Sequence, residues 1–122
     1  MPARQFAFPK RRRLTGPAEF EHVKKNGRVH RGRLLVISVV SLNDGDPFRA
    51  GFVTSRAVGS AVVRNRVRRR LREIVRKHQC EIAPATWIVT IARASAARAS
   101  YEQLEAEWLR LAERASILAT PC

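Results

Sequence analysis

Residues 51–77, GFVTSRAVGSAVVRNRVRRRLREIVRK, change period midway, and that change decides the fold. GFVTS, at the start, has the β-branched and aromatic character of a strand. From Gly59 and Ser60 onward the spacing becomes helical. At 100° per residue, Val63, Val67, Leu71, Ile74 and His78 fall within about a quarter of the circumference, which marks the side that packs. Arg64, Asn65, Arg68, Arg69, Arg72 and Arg76 occupy the neighbouring arc. Arg64, Arg68 and Arg72 stand at i, i+4 and i+8, roughly 6 Å apart, a spacing that repels unless an anion is present. Phosphate suits it, because a guanidinium donates two parallel hydrogen bonds and keeps its charge at any physiological pH. A solvated face is the ordinary meaning of a charge run, but such a face mixes signs. Between 64 and 77, eight basic side chains meet only Glu73.

Outward from this segment, a strand, helix, strand crossover runs through 48–55, 60–78 and 86–92, the last strand being WIVTIA from Trp87. Pro84 lies beyond the helix end. Before it, Arg33 to Leu42 contains LLVISVV, a nearly continuous apolar run that suits a central strand buried on both faces. The cluster Asn43, Asp44, Gly45, Asp46 and Pro47 reads as a turn, so that 48–55 is expected to pair back as a hairpin. Gly16 and Pro17 open a short helix through Asn26, for which Gly27 is the expected left-handed stop. After Ser100 and Gln103, a capping-box pair, Leu104, Trp108, Leu111, Ala115 and Leu118 mark a closing amphipathic helix. Trp108 reads as core. Residues 1–14 form a basic arm, and 116–122 a tail whose order or disorder the sequence leaves open. The whole is expected to be one α+β domain with helices packed on a small sheet.

The chain of 122 residues carries a net charge of +14, which implies a polyanionic partner. Residues 1–78 hold +15 and the remainder −1, so the positive field belongs to one part of the chain. Cys80 and Cys122 are too few and too far apart for a metal site or disulfide framework, and a reduced, cytoplasmic protein is the default. No run reads as a signal peptide or a membrane span, and the basic helix lacks the aromatics of an interfacial one. His22, His30 and His78 are scattered, with His30 in a basic loop, and no nucleophile, base or metal ligand has workable spacing. No catalytic residue and no protein-held metal is expected.

The stretch GFVTSRAVGSAVVRNRVRRRLRE, residues 51–73, resembles the signature of the bacterial ribonuclease P protein subunit. In that family a strand ending in Ser and basic residues leads through a Gly into R-N-R-x-[KR]-R-x-x-[KR]. Here Arg64, Asn65, Arg66, Arg68, Arg69 and Arg72 match, preceded by Ser55, Arg56 and Gly59. PKRRRLTGPAEFEHVKKNG (9–27), WIVTIAR (87–93) and the capped helix from Ser100 resemble the family's arm, first helix, late strand and last helix.

The resemblance implies a two-layer α+β sandwich of a small mixed sheet with three helices, the ribosomal protein S5 domain 2-like arrangement. Its βαβ crossover is left-handed, against the generic rule. It further implies a ribonucleoprotein endoribonuclease that removes the 5′ leader from precursor tRNA, with RNA-bound Mg2+ performing the cleavage. Carried over, Arg64, Asn65, Arg66, Arg68, Arg69 and Arg72, with Arg56 and Arg12, are the RNA-contacting set. Phe20, Lys24 and Ser38 are the leader-binding set, in a protein expected to be monomeric alone. Lys24 and Ser38 depart from many relatives, some of which carry an aromatic at the Ser38 position, so this cleft leans more on charge. Two other classes compete. A ribosomal or general RNA-binding protein would share the basic face without a role in cleavage. A major-groove DNA binder would need a helix-turn-helix partner that 48–55 does not supply.

Overall fold

The structure is a computed structural model and describes residues 13–14, 16–42 and 48–118. Along them run α1 (Pro17–Asn26), β1 (Arg28–Arg31), β2 (Leu35–Ser41), β3 (Arg49–Thr54), α2 (Ala61–Lys77), β4 (Thr86–Ala92) and α3 (Tyr101–Arg114). Pro17 sits in the first turn of α1, where its missing N–H costs nothing. Ser60 caps α2 by accepting from the Val63 amide, and Ser100 and Gln103 close the expected capping box on α3.

The strands form one mixed sheet in the order β1-β2-β4-β3. β2 is antiparallel to β1 and β4, while β3 lies parallel to β4, so β3, α2 and β4 make the crossover. The hairpin expected between 33–42 and 48–55 does not form. β4 stands between those strands, because WIVTI is apolar on both faces and only an interior position buries both. β3, with half-exposed Phe52 and Val53, takes the outer place. The hairpin is instead β1–β2, closed where the Gly32 amide donates to the Leu35 carbonyl at 2.8 Å. His30 therefore belongs to a strand, not a loop; RVHR is exposed at three of four positions and shows no apolar alternation to read.

α2 and α3 pack on one face of the sheet over Leu35, Ile37, Val39 and Ile88. α1 lies on the other face, where Val23 meets Leu14, Val40 and Val89. Gly27 is extended (φ −79°, ψ 155°), not left-handed, because the chain passes straight into β1. Its glycine serves close approach: a Cβ there would lie 2.5 Å from Ser38 Oγ. Trp108 is buried and donates from Nε1 to Thr90 Oγ1 at 3.1 Å, the core role expected of it. α3 stops at Arg114, and Ser116 turns to φ 58°, so Leu118 packs from beyond the helix, bridging Ile82. Ile117 is buried, and residues 116–118 of the tail are thus packed.

Along the outer edge of β3, Arg13 bridges Ala50 and the Leu14 amide donates to the Ala50 carbonyl at 3.0 Å. The end of the basic arm thereby covers a sheet edge. Residues 1–12, Arg12 included, the turn cluster at 43–47 and residues 119–122 lie outside the described residues. Cys80 is disulfide-bonded, which corrects the expectation of a reduced protein. No helix among the described residues is long and apolar enough to cross a membrane.

Candidate nucleic-acid interface

Val67, Leu71, Ile74 and Val75 bury one side of α2, and the helical period throws its arginines onto both flanks of that stripe. Arg64, Arg68 and Arg72 form the expected row, half-buried. Arg68 donates to Thr54 Oγ1 at 2.6 Å and to Asn65 Oδ1 at 3.1 Å. Asn65 therefore orients Arg68 with its carbonyl oxygen and keeps its NH2 as an outward donor. The Nε atoms of Arg64 and Arg72 are buried without a partner among the described residues. Burial, then the charges of Arg13 and Arg68, pull the Arg72 guanidinium below its ordinary pKa. Crowded cations with unanswered N–H donors are what an anion relieves.

Arg13, Arg68 and Arg72 surround a recess of about 110 Å³ on the β3 edge. Nothing in PKRRR distinguishes Arg13 from its neighbours, and only its pairing with β3 places it there. Arg69 is exposed on the outer side of α2, and Arg56 is exposed in the turn Arg56–Val58. Arg66 parts from the row: it turns to the opposite flank and donates to the Ala97 carbonyl at 3.2 Å.

On the other face, α1 leaves a cleft of about 540 Å³ against the sheet. Phe20, Lys24 and Ser38 all line it, over an apolar floor that includes Val36, Val89 and Ile91. Ser38 is buried and donates from Oγ to the Val23 carbonyl at 3.2 Å, so its hydroxyl ties α1 to β2. Lys24 and Arg31 are exposed and bring positive charge to the cleft, with Glu21 opposing them. Arg31 was not legible as a site residue, because β1 itself was not.

Phe20 joins the two regions. Its ring lies over Gly51, where a Cβ would sit 2.6 Å from Cε1 and Cζ. Phe20 lines both the cleft and the arginine recess, which are neighbours on either side of its ring. The glycine in the middle of a strand is the sequence signal that could have found this contact.

No group of His, Cys, Asp and Glu among the described residues could hold a metal ion. His78 is pinned by Glu81 at 2.7 Å and Glu105 at 2.8 Å, a tie between the end of α2 and α3.

Fold and surface together define a class: small basic α+β proteins in which an arginine flank and an apolar cleft share one sheet edge. The chain belongs to the bacterial ribonuclease P protein family, whose model, described as Ribonuclease P, matches residues 8–116. It is 36% identical over 110 residues to the ribonuclease P protein component of Syntrophomonas wolfei, covering 90% of this chain and 92% of that one. Against the component from Acidothermus cellulolyticus it is 43% identical over 108 residues, covering 88% and 90%. The fold matches the ribonuclease P protein of Staphylococcus aureus with a TM-score of 0.81 at 28% identity, covering 88% of this chain and 97% of that one. For the Thermotoga maritima protein the TM-score is 0.75 at 28% identity, with 84% and 96% covered. As a family member it is a protein component of ribonuclease P, an endoribonuclease of tRNA 5′ processing that it forms with an RNA.

Proposed function

We propose that this protein holds the single-stranded 5′ leader of precursor tRNA in the α1 cleft while the arginine flank of α2 grips the backbone of ribonuclease P RNA. The observation that carries this reading is Phe20, which lines both the apolar cleft and the cationic recess. A strand leaving the cleft past Phe20 reaches the recess lined by Arg13, Arg68 and Arg72. Base stacking on an aromatic is worth about 1–3 kcal/mol and tolerates any sequence, which suits a leader of variable composition. The RNA-contacting set is then Arg64, Asn65, Arg68, Arg69 and Arg72, with Arg13 added and Arg56 at its margin, while Arg66 turns to the opposite flank. Leader binding falls to Phe20 and Lys24, while Ser38 shapes the cleft.

The described residues supply no acidic cluster for a cation. In this reading Mg2+ is held by the RNA, which performs the hydrolysis, and the protein lowers the Mg2+ concentration needed by binding substrate and RNA together. It acts in the cytoplasm and is monomeric before assembly.

The test is leader cleavage by the cognate ribonuclease P RNA at low Mg2+, with and without the protein. Cleavage at the mature 5′ end that depends on the protein is expected, with a preference for precursor over mature tRNA that Phe20→Ala reduces. No stimulation of an RNA that is active alone at high Mg2+ overturns the proposal in favour of general RNA binding.

A further inference from the structure

On the side of α2 facing away from the arginine row, a basin of about 760 Å³ opens between the turn after β1, the turn Ala94–Arg98 and the first turns of α3. Its floor is made of small side chains, among them Ala97, Ala99 and Ala106. Glu107 closes the bottom: one oxygen accepts from the Leu34 and Leu35 amides at 2.6 and 2.7 Å, the other from Arg110 at 3.1 Å. That carboxylate, the only acid lining the basin among the described residues, is thus already answered.

Apart from Arg110, the arginines around this basin divide into two kinds. Arg66, Arg70 and Arg93 donate to the carbonyls of Ala97, Ala99 and Gly32 at 3.2, 3.1 and 3.0 Å, and so brace the walls. Ser95 adds a bond from Oγ to the Arg33 carbonyl at 2.6 Å. Arg33 and Arg98 are exposed, line the basin, and have guanidiniums with no hydrogen bond or ion pair among the described residues. A braced wall presenting two unengaged guanidinium forks is suited to phosphate oxygens. Among the described residues no aromatic side chain lines the basin, so bases have nothing to stack on and the contact is with backbone.

We propose that this basin seats a second stretch of RNA phosphodiester backbone through Arg33 and Arg98, so that ribonuclease P RNA holds the protein on both flanks of α2. The proposal rests on the proposed function only in taking that RNA as the partner.

The experiment is equilibrium binding of the full chain to ribonuclease P RNA over a range of salt concentrations, comparing wild type with an Arg33→Ala/Arg98→Ala double variant. Two lost phosphate contacts should make the log–log salt slope shallower by about 1.4–1.8 and weaken binding about tenfold near physiological salt. Arg33→Lys/Arg98→Lys should restore most of the slope, and the preference for precursor over mature tRNA should not change. Wild-type slope and affinity in a double variant with native circular dichroism overturn the proposal. Failure of the leader reading shows separately, as a Phe20→Ala variant that keeps its precursor preference while the salt slopes behave as expected.

Discussion

Gly51 sets the position of Phe20. A methyl group there meets the tip of the ring at 2.6 Å and Leu14 Cβ at 3.2 Å, so the aromatic has to move while the strand keeps its ladder. Because a ring tip yields more readily than backbone, Gly51→Ala should cost no more than about 1–2 kcal/mol in a urea titration. Its precursor-over-mature preference should nonetheless fall towards that of Phe20→Ala. A variant with unchanged preference would show that the ring over Gly51 does not shape leader binding. At this scale the sequence was informative about residue type more than about direction. Arg68 and Asn65 were legible as polar partners of an anion, but their mutual hydrogen bond and the Arg68 bond to Thr54 depend on where β3 lies.

Among the elements, α2 and α3 were the most legible, because caps and apolar stripe agree in each. What their sequences do not disclose is which neighbour each flank meets. Arg66 reads as one of the arginine set, yet it faces the chain that precedes α3. Glu107, which no pattern in the sequence marks, is 5% exposed and accepts from the amides of Leu34 and Leu35, holding the β1–β2 turn. Glu107→Ala leaves the buried Leu35 N–H and the part-buried Leu34 N–H without this acceptor and should cost about 2–4 kcal/mol in unfolding free energy. Amide exchange at Leu34 and Leu35 should speed up beyond the global change, whereas Glu107→Gln, which keeps an acceptor oxygen, should lose less. Equal exchange in the two variants would mean that the turn does not depend on this carboxylate.

For the whole molecule, pH acts through the junction of α2 and α3. The hydrogen bond with His78 holds the Glu105 carboxyl below its ordinary value of 4.5; burial opposes this, and Lys77 adds to it. A carboxyl depressed in the folded state stabilises the fold above its unfolded pKa, and that contribution is lost as pH falls through the lower folded value. Thermal melting should therefore fall off with acid from about pH 4.5 downward. Glu105→Gln should lie below wild type at neutral pH and show a flatter acid limb. Parallel limbs would place the acid sensitivity elsewhere. The effect is modest because the pair is partly solvated and screened.

Period, caps and composition, all properties of the sequence by itself, determined three helices, a central strand β2, the existence of strand β4, the buried role of Trp108, and a net positive charge carried by residues 1–78. These are local properties, written in residues that are neighbours along the chain. The motif from Arg64 to Arg72 also made the family legible, since its residue types stand at fixed offsets on one helix. Strand order was decided only by the tertiary structure. β4 inserts between β2 and β3 because two apolar faces have to be buried at once, a competition among strands distant in sequence that no window reveals. The same packing draws Arg13 to the β3 edge, lays Phe20 over Gly51 and separates Arg66 from the arginine row, because each contact joins elements whose relative placement the sheet alone sets.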